Sequence, residues 1–308
     1  MTDNDRYRQI DKIQIQSIAL RSEVERITMN YFYSRDFTYV EPPILHEQIK
    51  NKKNEIYLPL YDEKYSLNSS NALFMGMYAA EFGNVFTVSK CFRDENETIN
   101  HLVEFDMLEV EMLNYSFEQM IELIFDYIGF VFSELLTSKK ILIYSNIITR
   151  IKHLTQDLKP RKLTYNNFVN EYNDANHVIL TQDISNIDAL ISMNLKDIFI
   201  IVDYPTKYAT WTAQKKDANT AFAFNIILPD SYGELCEGCQ RTNDFELLQY
   251  KINCANVQQL QWYVDSVKKI NVNRCGFGLG MDRLMRWIIG ADTISECKIF
   301  PRTKNGGK

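Results

Sequence analysis

An α+β fold is what the sequence predicts, on three observations. Between Ile13 and Phe32, Leu20, Val24, Ile27 and Tyr31 recur at helical spacing with charged side chains between them. "NVFTVSKCFRDE" (84–95) and "VEFDMLEVEML" (103–113) are strand-like runs joined by a polar loop, which predicts a hairpin. Beyond residue 196 come three further strand-like runs, "DIFIIVDYP", "TAFAFNIILP" and "YGELCEGCQR", and then two helical stretches. Strands grouped together, with helices set apart from them, indicate α+β rather than a regular βαβ alternation.

The elements follow in order. After the first helix, "FTYVEPPIL" reads as an extended edge segment, because Pro42 and Pro43 can neither continue a helix nor sit in a central strand. "IKNKKNEIYLPLYDEK" is polar and basic without periodicity and is expected to be a mobile loop; "NALFMGMYAAEF" reads as a short helix. Beyond the hairpin, Phe117, Ile121, Ile124, Ile128, Val131 and Leu135 form a helical stripe. Glu122, Asp126 and Glu134 interrupt that apolar segment, so it reads as a buried helix and not a membrane span. Residues 137–196 mix short apolar runs with Asn-rich stretches, and a small helical insertion is expected there. "NVQQLQWYVDSVKK" is a further helix. In "GFGLGMDRL", Gly276, Gly278 and Gly280 alternate, thinning a strand so that something flat can approach its backbone, and a helix follows from Met281 to Ile289. The spacing fits neither a dinucleotide fingerprint nor a Walker loop; a plain core strand before a helix is the competing reading.

A chain of 308 residues with 45% apolar content can bury one large core or two modest ones. Acids outnumber Lys plus Arg by 40 to 34, for a formal charge of -6. That balance argues against a broad nucleic-acid footprint while leaving room for a local basic groove. The charged first 30 residues lack a secretory pattern, so a cytoplasmic protein is expected. The six scattered cysteines read as small core residues. Cys236 and Cys239, in "CEGC", have the spacing of half a zinc site, but no His or Cys pair follows closely, and the metal reading stays open.

Arg93 and Glu95 alternate on one expected strand, and Arg283 begins a distant helix. The planar guanidinium fork suits phosphate oxygens, so two arginines converging among carboxylates would point to ATP with Mg²⁺. Unrelated surface ion pairs are the alternative.

These residues carry a resemblance. "FTYVEPPIL", then "FRDE" with "HLVEF", then "GFGLGMDRL" look like the three signature motifs of class II aminoacyl-tRNA synthetases, in order. "DYP", "GELCEGCQR", "QWYVDSVK" and "ISECKIFPR" are similar to connecting motifs of the aspartyl/asparaginyl subgroup. The resemblance spans about residues 18 to 303 and is weakest across 137–196. It implies an antiparallel β-sheet of about six strands flanked by helices, a homodimer formed through the first motif, and ATP with Mg²⁺ as cofactors. By position, Arg93 would hold the α-phosphate and substrate carboxylate, Glu95 and His101 would line the nucleotide, and Phe105 would stack on adenine. Arg283 would meet the γ-phosphate, Gly280 to Asp282 would approach the nucleotide by backbone, and Glu234 would bind Mg²⁺. Ser70, Glu109 and Arg241 would read the substrate, Arg241 facing its side-chain carboxylate or amide.

The chain also departs from that family. Fewer than twenty residues precede the matching helix, so no anticodon-binding domain is expected, and one catalytic domain would fill 1–308. Ala72, Met75 and Gly76 stand where relatives carry a glutamine, the lysine of aspartate enzymes and the glutamate of asparagine enzymes. Small groups at Ala72 and Gly76 suggest room for a bulkier substrate, such as an Asp or Asn within a peptide. Glu237 replaces a small residue and could join Glu234 as a metal ligand or face an amine. Arg274 replaces a histidine and Asn100 often an arginine, changes expected to retune nucleotide contacts. The reading is an AMP-forming ligase, asparagine synthetase-like, acting on a small-molecule or peptide substrate, with tRNA disfavoured and no membrane partner. Its rivals are a synthetase acting on tRNA without its own anticodon domain, amide activation to a nitrile, and a non-catalytic paralogue.

Overall fold

The computed structural model describes residues 12–47, 54–60, 63–96, 98–176, 195–270 and 272–302. The periodic segment of the N-terminal region is helix α1 (Lys12–Tyr33), which buries Leu20, Val24, Ile27, Tyr31 and Phe32. Its stripe packs on α3 (Phe117–Thr137), the apolar helix whose start is fixed by a capping box between Ser116 and Gln119. Thr28 and Tyr127 join hydroxyls at 2.7 Å across that seam, so the two helices meet in one register.

An eight-stranded sheet runs in the order β1 (Thr38–Tyr39), β5 (Val85–Phe92), β6 (Glu104–Leu113), β11 (Arg274–Gly280), β10 (Gly233–Gln240), β9 (Thr220–Leu228), β8 (Phe199–Pro205) and β7 (Arg161–Thr164). The inner six strands pair antiparallel, and β1 and β7 add one parallel strand at each edge. β1, from the proline-bearing segment, is thus an edge strand, and Pro42 and Pro43 follow it outside any strand. A smaller sheet orders β2 (Leu45–Glu47), β4 (Glu63–Leu67) and β3 (Tyr57–Leu60). The expected mobile loop therefore contains β3 and the start of β4, while 49–53 and 61–62 lie outside the described residues. Low periodicity hid them because both are short and β3 exposes most of its side chains.

Among its described residues the stretch 137–196 holds two helices and one strand. It supplies α4 (Ser145–Asp157), which joins the main core, the edge strand β7, and α5 (Tyr165–Asn176), which packs on β8; 177–194 lie outside the described residues. Helix α6 (Phe245–Ala255) was not signalled by the motif reading, whereas α7 (Gln261–Val267) falls in the expected "QWYVDSV".

Period-two alternation divides the sheet into two faces. Leu108, Val110, Met112, Cys275, Phe277 and Leu279 enter the main core beneath α1, α3, α4 and α8 (Met281–Ile289). Glu109, Glu111, Gly276 and Gly278 therefore point the other way, into a cleft bounded by α2 (Ala72–Phe82) and α7.

Candidate active site

The floor of the cleft is set by register. Gly276 stands opposite Glu111, Gly278 opposite Glu109 and Gly280 opposite Met107. A Cβ on Gly276 would collide with the Glu111 carboxylate and lie 2.6 Å from an Arg241 nitrogen and 2.8 Å from the Val110 carbonyl oxygen. The alternate glycines thus vacate space that carboxylates and a guanidinium fill.

At one end of the floor, the Glu109 carboxylate sits on the N-terminus of α2. It accepts from the Asn71 backbone N–H at 2.9 Å, from Asn71 Nδ2 at 2.7 Å and from Ser70 Oγ at 2.5 Å. The free N–H groups of the first helical turn make this a favourable place for negative charge. Beside it, Arg241 is buried and forks onto Glu111, with Nη2 2.9 Å and Nε 3.1 Å from Oε2. Its other arm reaches Thr212 and Cys239. Ser70, Ala72, Met75, Glu109 and Arg241 all line one cavity of about 870 Å³.

Gly76 does not line it. A Cβ there would lie 2.9 Å from the Tyr263 ring, so this glycine lets α7 approach α2 rather than enlarging the substrate space. Arg274 is also placed differently from expectation. It lies fully buried under the floor, donating to the Thr242 carbonyl at 2.9 Å with its Nη1 3.9 Å from Glu111, away from the nucleotide-side residues.

A second cavity, about 380 Å³, is lined by Arg93, Glu95, Asn100, His101, Phe105, Glu234, Glu237, Gly280, Asp282 and Arg283. Arg93 and Glu95 lie just past the end of β5 rather than within a strand. The Arg93 guanidinium donates to the Ser69 carbonyl at 3.3 Å and lies 5.1 Å from the Phe105 ring centroid. Glu95 accepts from Asn54 Nδ2 at 3.0 Å, and His101 Nδ1 is 2.7 Å from the Thr98 hydroxyl. Arg283 donates to the Glu234 and Asn100 carbonyls. Asn100 is buried and also accepts from Arg286, so it braces two guanidinium groups instead of reaching outward itself.

The Asp282 side chain is turned from the cleft into an ion network. It meets Arg21, lies 2.8 Å from Lys298 Nζ and accepts the Asp106 backbone N–H at 2.8 Å. Asp106 adds Arg21 at 2.8 Å, Lys90 at 2.8 Å and Lys298 at 3.1 Å. This network ties α1 and the C-terminal segment to the start of α8, and hence to Arg283. Burial alone would raise the Asp106 carboxyl, but Lys298, Lys90 and Arg21 hold it below its ordinary value of 3.8. A depressed folded-state pKa adds stability above 3.8 that is lost as pH falls through the lower folded value. Wild-type protein is therefore expected to lose stability as pH drops below 3.8, and D106N to show a shallower acid limb in pH-dependent thermal melts.

In β10 the register shifts between Glu234 and Cys236, leaving Leu235 as an extra residue against β9. The bulge puts Leu235 and Cys236 together in the main core and Glu234 and Glu237, three apart in sequence, together on the cleft. Cys239 enters a different core on the opposite face, so the two thiols of "CEGC" do not share a metal. Burial raises both thiols, with Glu234 and Glu237 adding to the shift at Cys236, so both stay protonated. Asn225, which donates to Glu234, and Glu111 were not singled out in sequence. Glu111 follows Glu109 by two and could have been found by strand alternation; Asn225, Arg21 and Lys298 carried no local signal.

Among the described residues no helix is long and apolar enough to cross a membrane. A family model described as "tRNA synthetases class II (D, K and N)" matches residues 3–304. The fold is similar to asparaginyl-tRNA synthetase from Pyrococcus horikoshii complexed with asparaginyl-adenylate: TM-score 0.85, 21% identity, 96% of this chain and 70% of that one. It is also similar to Entamoeba histolytica asparaginyl-tRNA synthetase, with TM-score 0.83, 22% identity, and 96% and 69% of the two chains covered. Aspartyl tRNA synthetase from Entamoeba histolytica gives TM-score 0.76 at 20% identity, covering 96% and 60%. With its fold, its ordered motifs and a match across nearly its whole length, the chain belongs to the class II tRNA synthetases of the D, K and N group, a family of ATP-dependent, AMP-forming ligases.

Proposed function

We propose that the chain activates a carboxyl or amide group of an Asp- or Asn-like substrate, free or peptide-borne, and transfers it to ammonia or another amine. One observation carries this reading: the two cavities adjoin, sharing Arg93, Glu95, Met107, Glu237 and Gly278 as lining. A nucleotide in the smaller cavity and an acid in the larger would meet at Arg93. The substrate oxygen attacks the α-phosphorus, a new O–P bond forms, and the bond to the β-phosphate oxygen breaks, releasing pyrophosphate. The amine then attacks the activated carbon, loses a proton, and AMP leaves. Negative charge accumulates on the phosphorus oxygens, where Arg93 stabilises it, while Arg283 takes the far end of the triphosphate. Phe105 offers an aromatic face to adenine, and Glu95 and His101 line the nucleotide.

Mg²⁺ fits the residues present. Glu234 and Glu237 are hard oxygen donors brought to one face by the bulge, and Mg²⁺ is commonly held by one or two carboxylates together with substrate phosphates. When bound it would neutralise phosphate charge.

The test is incubation with α-labelled ATP, ammonium and a panel of Asp- and Asn-containing compounds, with mass spectrometry of the products. AMP should appear only with substrate, and amide or nitrile products distinguish carboxyl from amide activation. Neither AMP nor substrate-dependent pyrophosphate exchange across the panel would overturn the proposal. Failure to bind MgATP at all would leave the non-catalytic reading. A tRNA acceptor is the second reading, favoured by family membership itself; a low-salt gel shift with total tRNA decides it. Homodimerisation through the first motif is part of the proposal, and Ile44 and Leu45 of that motif are exposed.

A further inference from the structure

The larger cavity extends well past the groups that would read an Asp or Asn side chain. Its lining includes Ser70, Glu109 and Arg241 together with a group of aromatic side chains. Phe74 of α2 and Trp262 of α7 stack with centroids 5.1 Å apart and planes 16° from parallel, and His46 of β2 lies 6.2 Å from Phe74. Tyr208 and Trp211 also line the cavity. Cavities of roughly 300–1,000 Å³ serve drug-sized ligands, so about 870 Å³ far exceeds the needs of a free amino acid. An apolar wall of this kind gains binding energy only from a ligand with flat or apolar surface to bury.

Two observations favour a peptide as the source of that surface. Pro43 to Glu47 includes β2, an edge strand with β4 as its neighbour in the sheet among the described residues, and Pro43, Leu45, His46 and Glu47 line the cavity. A sheet edge beside a pocket suits an extended chain. Acidic side chains also outnumber basic ones in the lining: Glu47, Glu95, Glu109, Glu111 and Glu237 against Arg93 and Arg241. Apart from Arg93, Glu95 and Glu237, which it shares with the nucleotide-side cavity, that lining is Glu47, Glu109 and Glu111 against Arg241, and it offers a nucleic acid no cationic surface.

We infer that the Phe74–Trp262 wall is a subsite for the residue next to the reacting Asp or Asn, so that the substrate is peptide-borne with an aromatic or large apolar neighbour. This rests on the adenylation reading above.

The experiment measures AMP release from MgATP with free Asp, free Asn, and blocked tripeptides carrying Asp or Asn flanked by glycine or by phenylalanine on either side. The KM for a phenylalanine-flanked peptide is expected to be at least about tenfold below that of its glycine counterpart, with free amino acids poorest. Trp262→Ala should erase the preference, and the milder Phe74→Leu should reduce it, with MgATP affinity by calorimetry unchanged because Trp262 and Phe74 line only the larger cavity of the two. Free Asp or Asn turning over as efficiently as the best peptide, a preference that survives both variants, or AMP release that requires tRNA would each overturn the subsite while leaving adenylation standing. If no compound releases AMP, the adenylation reading falls and the subsite with it.

Discussion

Replacing Arg93 with alanine is expected to lower substrate-dependent AMP formation about 100- to 1,000-fold, the usual cost of removing one preorganised donor from a developing oxyanion. The residue lines both cavities, so it is placed where the acid and the α-phosphate would meet. Its loss should fall mainly on kcat, because charge on the phosphorus oxygens grows in the transition state and uniform substrate binding does not. Lysine at the same position should recover only part of the rate: it keeps the charge but lacks the planar fork. MgATP affinity should change much less. Single-turnover AMP release separates these effects, and a variant with normal kcat would remove Arg93 from the chemistry.

Replacing Glu111 with alanine is expected to cost about 3–5 kcal/mol of folding stability, the range for leaving a buried charge without its partner. Two guanidinium groups depend on this carboxylate. Arg241 forks onto it directly, and Arg274, fully buried, lies within 3.9 Å. Urea melts would read the loss, and a change below about 1 kcal/mol, typical of an exposed pair, would show that the network is not the support it looks to be. Partial compensation is expected in the double variant E111Q/R274M, which removes one of the two charges together with the acid and fills its volume with an apolar chain. Because Arg241 forms one wall of the larger cavity, the single variant should also blur substrate choice before it abolishes nucleotide binding.

Much of the molecule was legible from local pattern. The stripe from Phe117 to Leu135 became α3, the paired runs became β5 and β6, and "GFGLGMDRL" became β11 and the start of α8. Each is long or strongly periodic, so local side-chain spacing and core burial agree. The segments 57–67 and 161–164 were not legible, because short or partly exposed strands such as β3 and β7 leave little periodic trace. Gly76 was misplaced for a different reason. Sequence gives the position of a missing side chain but not what occupies the space, and here it is the Tyr263 ring.

The sequence by itself determined the order of the elements, the ordered motifs that name the family, and which residue types could hold phosphate. Only the tertiary structure decided how they face. One unpaired residue, Leu235, shifts the phase of β10 and brings Glu234 and Glu237 to the same side, where strict alternation would have parted them. The same applies to Arg241, whose charge is half spent on Glu111, and to Asp282, whose carboxylate turns to Arg21 and Lys298. Such facts depend on partners between 16 and 261 residues away along the chain. Burial makes an ion pair mandatory there, but no local spacing says which partner will arrive.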